Sequence, residues 1–86
     1  MKKVVKFGGS SLASARQFKK VGDIIRSDKA RRYVIPSAPG KRSSKDEKVT
    51  DMLYACYDAA STGGSYKKLL NKIKDRYHEI INGLDL

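Results

Sequence analysis

The sequence predicts an α/β unit built on parallel strands, with elements in the order β-α-β-α-α. Three features carry that expectation: two short β-branched runs, an amphipathic helix-length segment between them, and two more helix-length segments afterwards. A strand–helix–strand connection with a right-handed crossover leaves its two strands parallel.

The first strand is Lys2 to Phe7 (KKVVKF), β-branched at its centre and broken by Gly8-Gly9-Ser10-Ser11. Ser14, with Gln17 three positions on, forms a capping box for the first helix. Ala15, Phe18, Val21, Ile24 and Ile25 then recur at helical spacing as far as Ser27, and Gly22 weakens the helix without ending it. Asp28 to Arg31 is a charged turn. The second strand is Arg32-Tyr33-Val34-Ile35, ended by Pro36-Ser37-Ala38-Pro39-Gly40. Lys41 to Lys48 has no apolar residue and reads as a solvated, mobile loop.

A second helix begins at Val49, with Val49, Met52, Leu53, Cys56 and Ala60 on one face, and breaks at Ser61-Thr62-Gly63-Gly64. The last helix starts near Ser65, and Tyr66, Leu69, Leu70, Ile73, Tyr77, Ile80 and Ile81 form its apolar face. Asn82-Gly83 supplies the stop. Lys67, Lys68, Lys72, Lys74 and Arg76 read as a mostly solvated face of this helix, and His78 as a surface residue. Parallel strands are normally covered on both faces and flanked by more strands, so this pattern reads as the opening of a larger α/β domain.

Composition narrows the function. The chain has 86 residues, 40% hydrophobic and 33% charged, which suits a globular chain and argues against disorder. No apolar run approaches the roughly 20 residues that span a bilayer, and no secretory signal is visible, so neither a membrane partner nor export is expected. One cysteine and one histidine argue against a disulfide framework or a structural metal and favour the reducing cytoplasm.

The net charge of +10 belongs entirely to residues 1–48, because residues 49–86 are neutral. A field of that kind attracts an anion: nucleic acid, a nucleotide phosphate or an acidic metabolite. A small basic nucleic-acid-binding module is therefore an alternative reading. Against it, the basic residues do not interleave with an aromatic platform, and no groove-reading motif is present.

The chemistry-bearing feature is Lys6-Phe7-Gly8-Gly9-Ser10-Ser11 at the carboxyl end of the first strand. Ligands of open parallel sheets bind beyond the carboxyl ends of the strands. Glycines there let backbone N–H groups approach a phosphate, Ser10 and Ser11 add hydroxyl donors, and Lys6 adds a cation suited to a transferring phosphoryl group. Neither G-x-x-x-x-G-K-[ST] nor G-x-G-x-x-G is present. Taken alone, the run favours the plainer reading, a strand-to-helix turn that needs two glycines. Ser37 at the end of the second strand and Thr50 in the first turn of the following helix alter the balance, because both fall on the same sheet edge.

With those residues in view, the chain resembles an aspartokinase, of the amino-acid kinase family. The resemblance rests on Val4-Val5-Lys6-Phe7-Gly8-Gly9-Ser10-Ser11-Leu12, Phe18-Lys19-Lys20-Val21, Ser37-Ala38-Pro39-Gly40-Lys41, and Lys48-Val49-Thr50-Asp51 continued by Leu53-Tyr54. It implies a partial three-layer α/β/α sandwich, with residues 1–86 as the N-terminal part of a catalytic domain whose remainder, like the regulatory ACT domains, lies beyond them. It implies ATP-dependent phosphorylation of the L-aspartate side chain to 4-phospho-L-aspartate, the first step towards lysine, threonine and methionine. Mg²⁺ would accompany ATP.

The same resemblance implies that Lys6, Phe7, Gly8, Gly9 and Ser10 belong to the ATP phosphate site, with Lys6 catalytic, and that Ser37 and Thr50 contact aspartate. It also implies that the segment alone is inactive. A non-catalytic sensor on the same scaffold is a third reading, opposed by the presence of Lys6, Ser37 and Thr50. Bare sheet edges and helix faces predict a homo-oligomer. Pro36 departs from the family pattern, and by removing a strand N–H it puts the placement of Ser37 in question.

Overall fold

In a computed structural model describing residues 1–86, the chain runs β1 (Lys3–Phe7), a 3₁₀ turn (Gly9–Leu12), α1 (Ala15–Arg26), β2 (Arg31–Pro36), α2 (Val49–Ser61) and α3 (Lys67–Gly83). The strands pair in parallel, with Val4 opposite Tyr33, Val5 opposite Val34, Lys6 opposite Ile35 and Phe7 opposite Pro36. The α/β architecture and element order are those the periodicities predict. The 3₁₀ turn between β1 and α1 is additional.

Local chemistry accounts for the bounds. Ser14 caps α1 by accepting a hydrogen bond from the Gln17 amide through its Oγ, at 3.4 Å. Asp28 closes the α1–β2 turn: one carboxylate oxygen accepts from the Ala30 amide at 2.9 Å and the other from Lys3 Nζ at 2.8 Å. The Lys3 hydrogen bond, followed by that of Ala30, holds the Asp28 carboxyl below the ordinary aspartate range. Gly63, at φ +77°, ends α2 in the left-handed conformation a glycine adopts without strain, and the Gly64 amide reaches back to Ala59 O at 2.8 Å.

Pro36 does not shorten β2. In a parallel ladder one residue of each opposite pair bonds to the two neighbours of the other, whose own N and O point outward; Phe7 is the bonding member here and Pro36 the outward one. The inward bond comes from the next residue, where the Ser37 amide donates to Phe7 O at 3.1 Å. Ser37 is therefore held at the strand end, and the missing N–H of Pro36 falls on the outer edge, where proline is tolerated.

The core lies between α2 and α3, where Val49, Met52 and Ile73 are buried and Cys56 packs against them. Leu53, which shares the predicted α2 face, is instead half exposed beside the exposed Tyr54 and Tyr57. On α3 the buried positions are Ile73, Arg76 and Ile80, whereas Tyr77 and Ile81 face solvent. The apolar face is thus rotated from the expected one, and an arginine stands at its centre. Gly83 is the last helical residue and does not act as a left-handed stop; Asp85 takes that conformation, at φ 58°. The hydrogen atom of Gly83 serves packing instead, because a Cβ there would collide with Ala15 of α1.

Packing is sparse. Ten of the 86 residues are buried, and the radius of gyration is 15.3 Å, against roughly 12 Å for a compact domain of this length. The accessible surface is 6459 Å², against about 5,100 Å² for a folded monomer of this mass. Much of the excess is apolar: Val4, Tyr33, Val34 and Ile35 of the sheet are between 39% and 64% exposed. The chain has the connectivity of a layered α/β domain with part of its sheet uncovered.

Candidate functional site

The loops that leave β1 and β2 meet at the carboxyl edge of the sheet. Gly9 and Gly40 touch backbone to backbone, with the Gly40 amide donating to Gly9 O at 2.8 Å. A Cβ on Gly40 would lie 2.6 Å from the Gly9 carbonyl carbon, and one on Gly9 would lie 3.1 Å from Ala38 O. Gly40 must lack a side chain for the loops to approach this closely, and a side chain on Gly9 would need the facing loop to give by a few tenths of an ångström. The second loop is fastened to α2 by the Val49 amide, which donates to Pro39 O at 2.9 Å.

These loops enclose an open cleft of about 520 Å³. One rim is Gly9 and Ser10, the other Ser37 to Lys41, and Lys48 and Thr50 close it at the start of α2. Ser10, Ser37 and Thr50 are all exposed, so three hydroxyls from three chain segments are available to one ligand. The first-turn amides of α2 lack intrahelical acceptors, which favours an anion there. Lys41 and Lys48 add two exposed ammonium groups. The cleft thus has the polarity of an anion site: hydroxyl and amide donors with two cations.

Of the residues singled out from the sequence, Gly9, Ser10, Ser37 and Thr50 come together here. Lys6, Phe7 and Gly8 precede the cleft along the chain and do not line it. Lys6 is exposed, and Phe7 is partly buried with its carbonyl engaged by Ser37. Gly8 is informative in another way. Its backbone is extended (φ −74°, ψ 170°), a conformation open to any residue, and nothing would lie within 4 Å of a Cβ. The close packing therefore favours glycine at position 9 but not at position 8, which removes half of the plain-turn reading of the two glycines.

Three further residues matter to which the sequence reading gave no part in the site. Lys41 and Lys48 adjoin the Ser37–Gly40 loop and the Val49-Thr50 pair, and adjacency alone could have drawn attention to them. Arg76 is 5% exposed on α3 and hydrogen-bonds into the loops behind the cleft, contrary to its reading as a solvated residue.

The Lys41–Lys48 segment is likewise held by charge. Asp46 accepts from Arg42 Nε at 2.6 Å, from Arg42 Nη2 at 2.9 Å and from the Arg42 amide at 2.9 Å. The Arg42 side-chain hydrogen bonds, more than any other influence, hold the Asp46 carboxyl far below the ordinary aspartate range, and the same pairing raises the Arg42 guanidinium. Arg42 Nη1 also reaches Glu79 of α3 at 2.9 Å. The segment is solvated but tied at both ends, and so is more ordered than its composition predicts.

An α/β unit whose strand-end loops converge on a donor-rich cleft is the class of protein these features define. Comparison with known proteins then gives a specific relationship. The chain is 51% identical over 84 residues to aspartokinase 3 of Bacillus subtilis strain 168, a match covering 98% of the chain and 18% of that protein. In three dimensions it superposes on the crystal structure of Clostridium acetobutylicum aspartate kinase, described as an allosteric enzyme, with a TM-score of 0.92 and 52% identity. That superposition covers 96% of this chain and 19% of the enzyme. No protein-family model matches the chain. It is homologous to the aspartokinases along almost all of its own length, and it spans about a fifth of the relatives it matches.

Proposed function

We propose that this chain forms part of the catalytic domain of an ATP-dependent aspartate kinase, its N-terminal part, and that the cleft is where the phosphate end of ATP meets L-aspartate. The observation that carries this reading is the convergence of Gly9 and Ser10 with Ser37 and Thr50 on one cleft of cationic, donor-rich character. In the reaction a side-chain carboxylate oxygen of aspartate forms a bond to the γ-phosphorus of ATP. The bond from that phosphorus to the bridging oxygen breaks, and ADP leaves with 4-phospho-L-aspartate formed.

Each residue's part follows from its chemistry. Gly8 presents backbone free of any side chain, and with Phe7, Gly9 and Ser10 it forms the phosphate-binding run. Lys6, exposed beside that run, reaches the transferred phosphoryl group and offsets the charge that spreads over its oxygens. Ser37 and Thr50 orient aspartate by hydroxyl hydrogen bonds. ATP is a substrate and Mg²⁺ arrives on its phosphates; no group of three or more His, Cys, Asp or Glu side chains in this chain is placed to hold the ion. On this reading the adenine end of ATP and further contacts to aspartate fall to residues outside 1–86, and this segment alone would bind weakly and not turn over.

The product would feed lysine, threonine and methionine synthesis in the cytoplasm. No helix is long and apolar enough to cross a membrane. The surface excess over a compact monomer is covered by the rest of the domain and by self-association into a homo-oligomer.

The test is phosphoryl transfer to aspartate by the full polypeptide that carries this segment, with aspartyl phosphate trapped as the hydroxamate. Lys6→Ala is expected to lower kcat at least 100-fold, the scale of losing one electrostatic contact to a transition state, while leaving the unfolding midpoint unchanged. No phosphoryl transfer by the full polypeptide, or full activity in Lys6→Ala, would overturn the assignment, and steady-state turnover by the isolated 86 residues would overturn their inactivity alone.

A further inference from the structure

Arg76 is the one buried charged side chain, and its hydrogen bonds go to three points on two loops, one on the β1–α1 connection and two on the β2–α2 connection. Its Nη2 donates to Gly40 O at 2.8 Å and to Ala13 O at 3.2 Å, and its Nη1 donates to Glu47 O at 2.9 Å. Asp46 Oδ2 lies 3.5 Å from Nη1 and balances the charge. Gly40 belongs to the second rim of the cleft, Ala13 directly follows the 3₁₀ turn that carries the first rim, and Glu47 leads into Lys48 and α2. One planar guanidinium therefore grips the backbone of all three segments that bound the cleft. Two of the peptides it fixes enter Lys41 and Lys48, both of which line that cleft.

We propose that Arg76 is a positioning residue: it sets the spacing of the two rims and the start of α2, so that the cleft is preformed for its anionic ligands and is not assembled by them. The site's use by ATP and aspartate rests on the reading above; the positioning itself does not. Arginine is required because its fork presents donors in fixed directions to acceptors on different loops, which the point charge of a lysine cannot reproduce. Without the fork the rims sample several spacings, and ligand affinity falls in proportion to the fraction that is competent.

The experiment compares wild type, Arg76→Lys and Arg76→Met in the full polypeptide, with two readouts. Amide exchange without ligand reads the positioning directly: the Gly40 and Val49 amides are expected to lose about tenfold in protection in Arg76→Met and to recover part of it in Arg76→Lys. Kinetics read its use: in Arg76→Lys, KM for both ATP and aspartate is expected to rise about tenfold with kcat within threefold of wild type. Unchanged protection at Gly40 and Val49 overturns the proposal, as does a fall in kcat with both KM values intact. A wild-type protein without kinase activity refutes the functional reading alone, because amide exchange still decides the positioning. If Arg76→Met does not fold, Arg76→Lys carries both readouts.

Discussion

Replacing Gly40 by alanine tests the close backbone approach of the two cleft loops. The new Cβ would lie 2.6 Å from the Gly9 carbonyl carbon and 2.8 Å from both Gly9 O and Ser10 N. Carbon atoms rest at about 3.5–4.0 Å, so the loops must part by roughly 1 Å. All three obstacles are backbone, and no side chain can rotate away. Separation on that scale breaks the 2.8 Å bond from the Gly40 amide to Gly9 O and strains the one from Arg76 to Gly40 O. Overpacking of this kind costs about 1–3 kcal/mol and a lost hydrogen bond about 0.5–1.5 kcal/mol, so Gly40→Ala should destabilise the chain by about 2–4 kcal/mol. Urea denaturation followed by circular dichroism measures this, with Gly8→Ala as the matched control because nothing stands within 4 Å of its Cβ. The control should fall within about 0.5 kcal/mol of wild type. A Gly40→Ala protein as stable as the control would refute the close-approach account of the two loops.

Other outcomes follow from the same structure. If the proposed phosphate-binding run is right, Gly8→Ala, neutral for folding, should still weaken ATP binding measured by calorimetry on the full polypeptide, because a methyl group would crowd the proposed phosphate contact. Met52→Ala, in the core with Val49 and Ile73, should lower stability by about 2–4 kcal/mol in the same urea titration. Asp46 gives a pH dependence of definite sign. Its folded value lies below the roughly 3.9 of an unfolded aspartate, so its pairing with Arg42 stabilises fully above that pH. The contribution is lost as pH falls through the depressed folded value. Carboxyl chemical shifts should show Asp46 titrating below the ordinary aspartate range, and Asp46→Asn should abolish that acid-side loss.

Much of the fold is written locally. Short β-branched runs mark both strands, Ser14 marks the start of α1, and glycines 63 and 64 mark the end of α2. Ser10, Ser37 and Thr50 could be placed on one edge because parallel strands put their carboxyl ends together. What escaped detection depends on tertiary contact. A hydropathy pattern assigns Arg76 to solvent because the carbonyls that pay for its burial come from residues 13, 40 and 47, far away in sequence. Gly83 resembles a helix stop until Ala15 is seen against it. The Lys41–Lys48 segment looks unrestrained because ion pairs to Asp46 and Glu79 leave no periodic trace.

The outward-facing nitrogen of Pro36 limits how the sheet can widen. A strand laid along the free side of β2 would find no donor beside that ring, and its ladder would have to end or skip at that point. Lateral growth is thereby interrupted one residue before Ser37, beside the cleft. A proline that costs the existing strand pair nothing thus keeps any neighbour from stitching across the edge of the cleft.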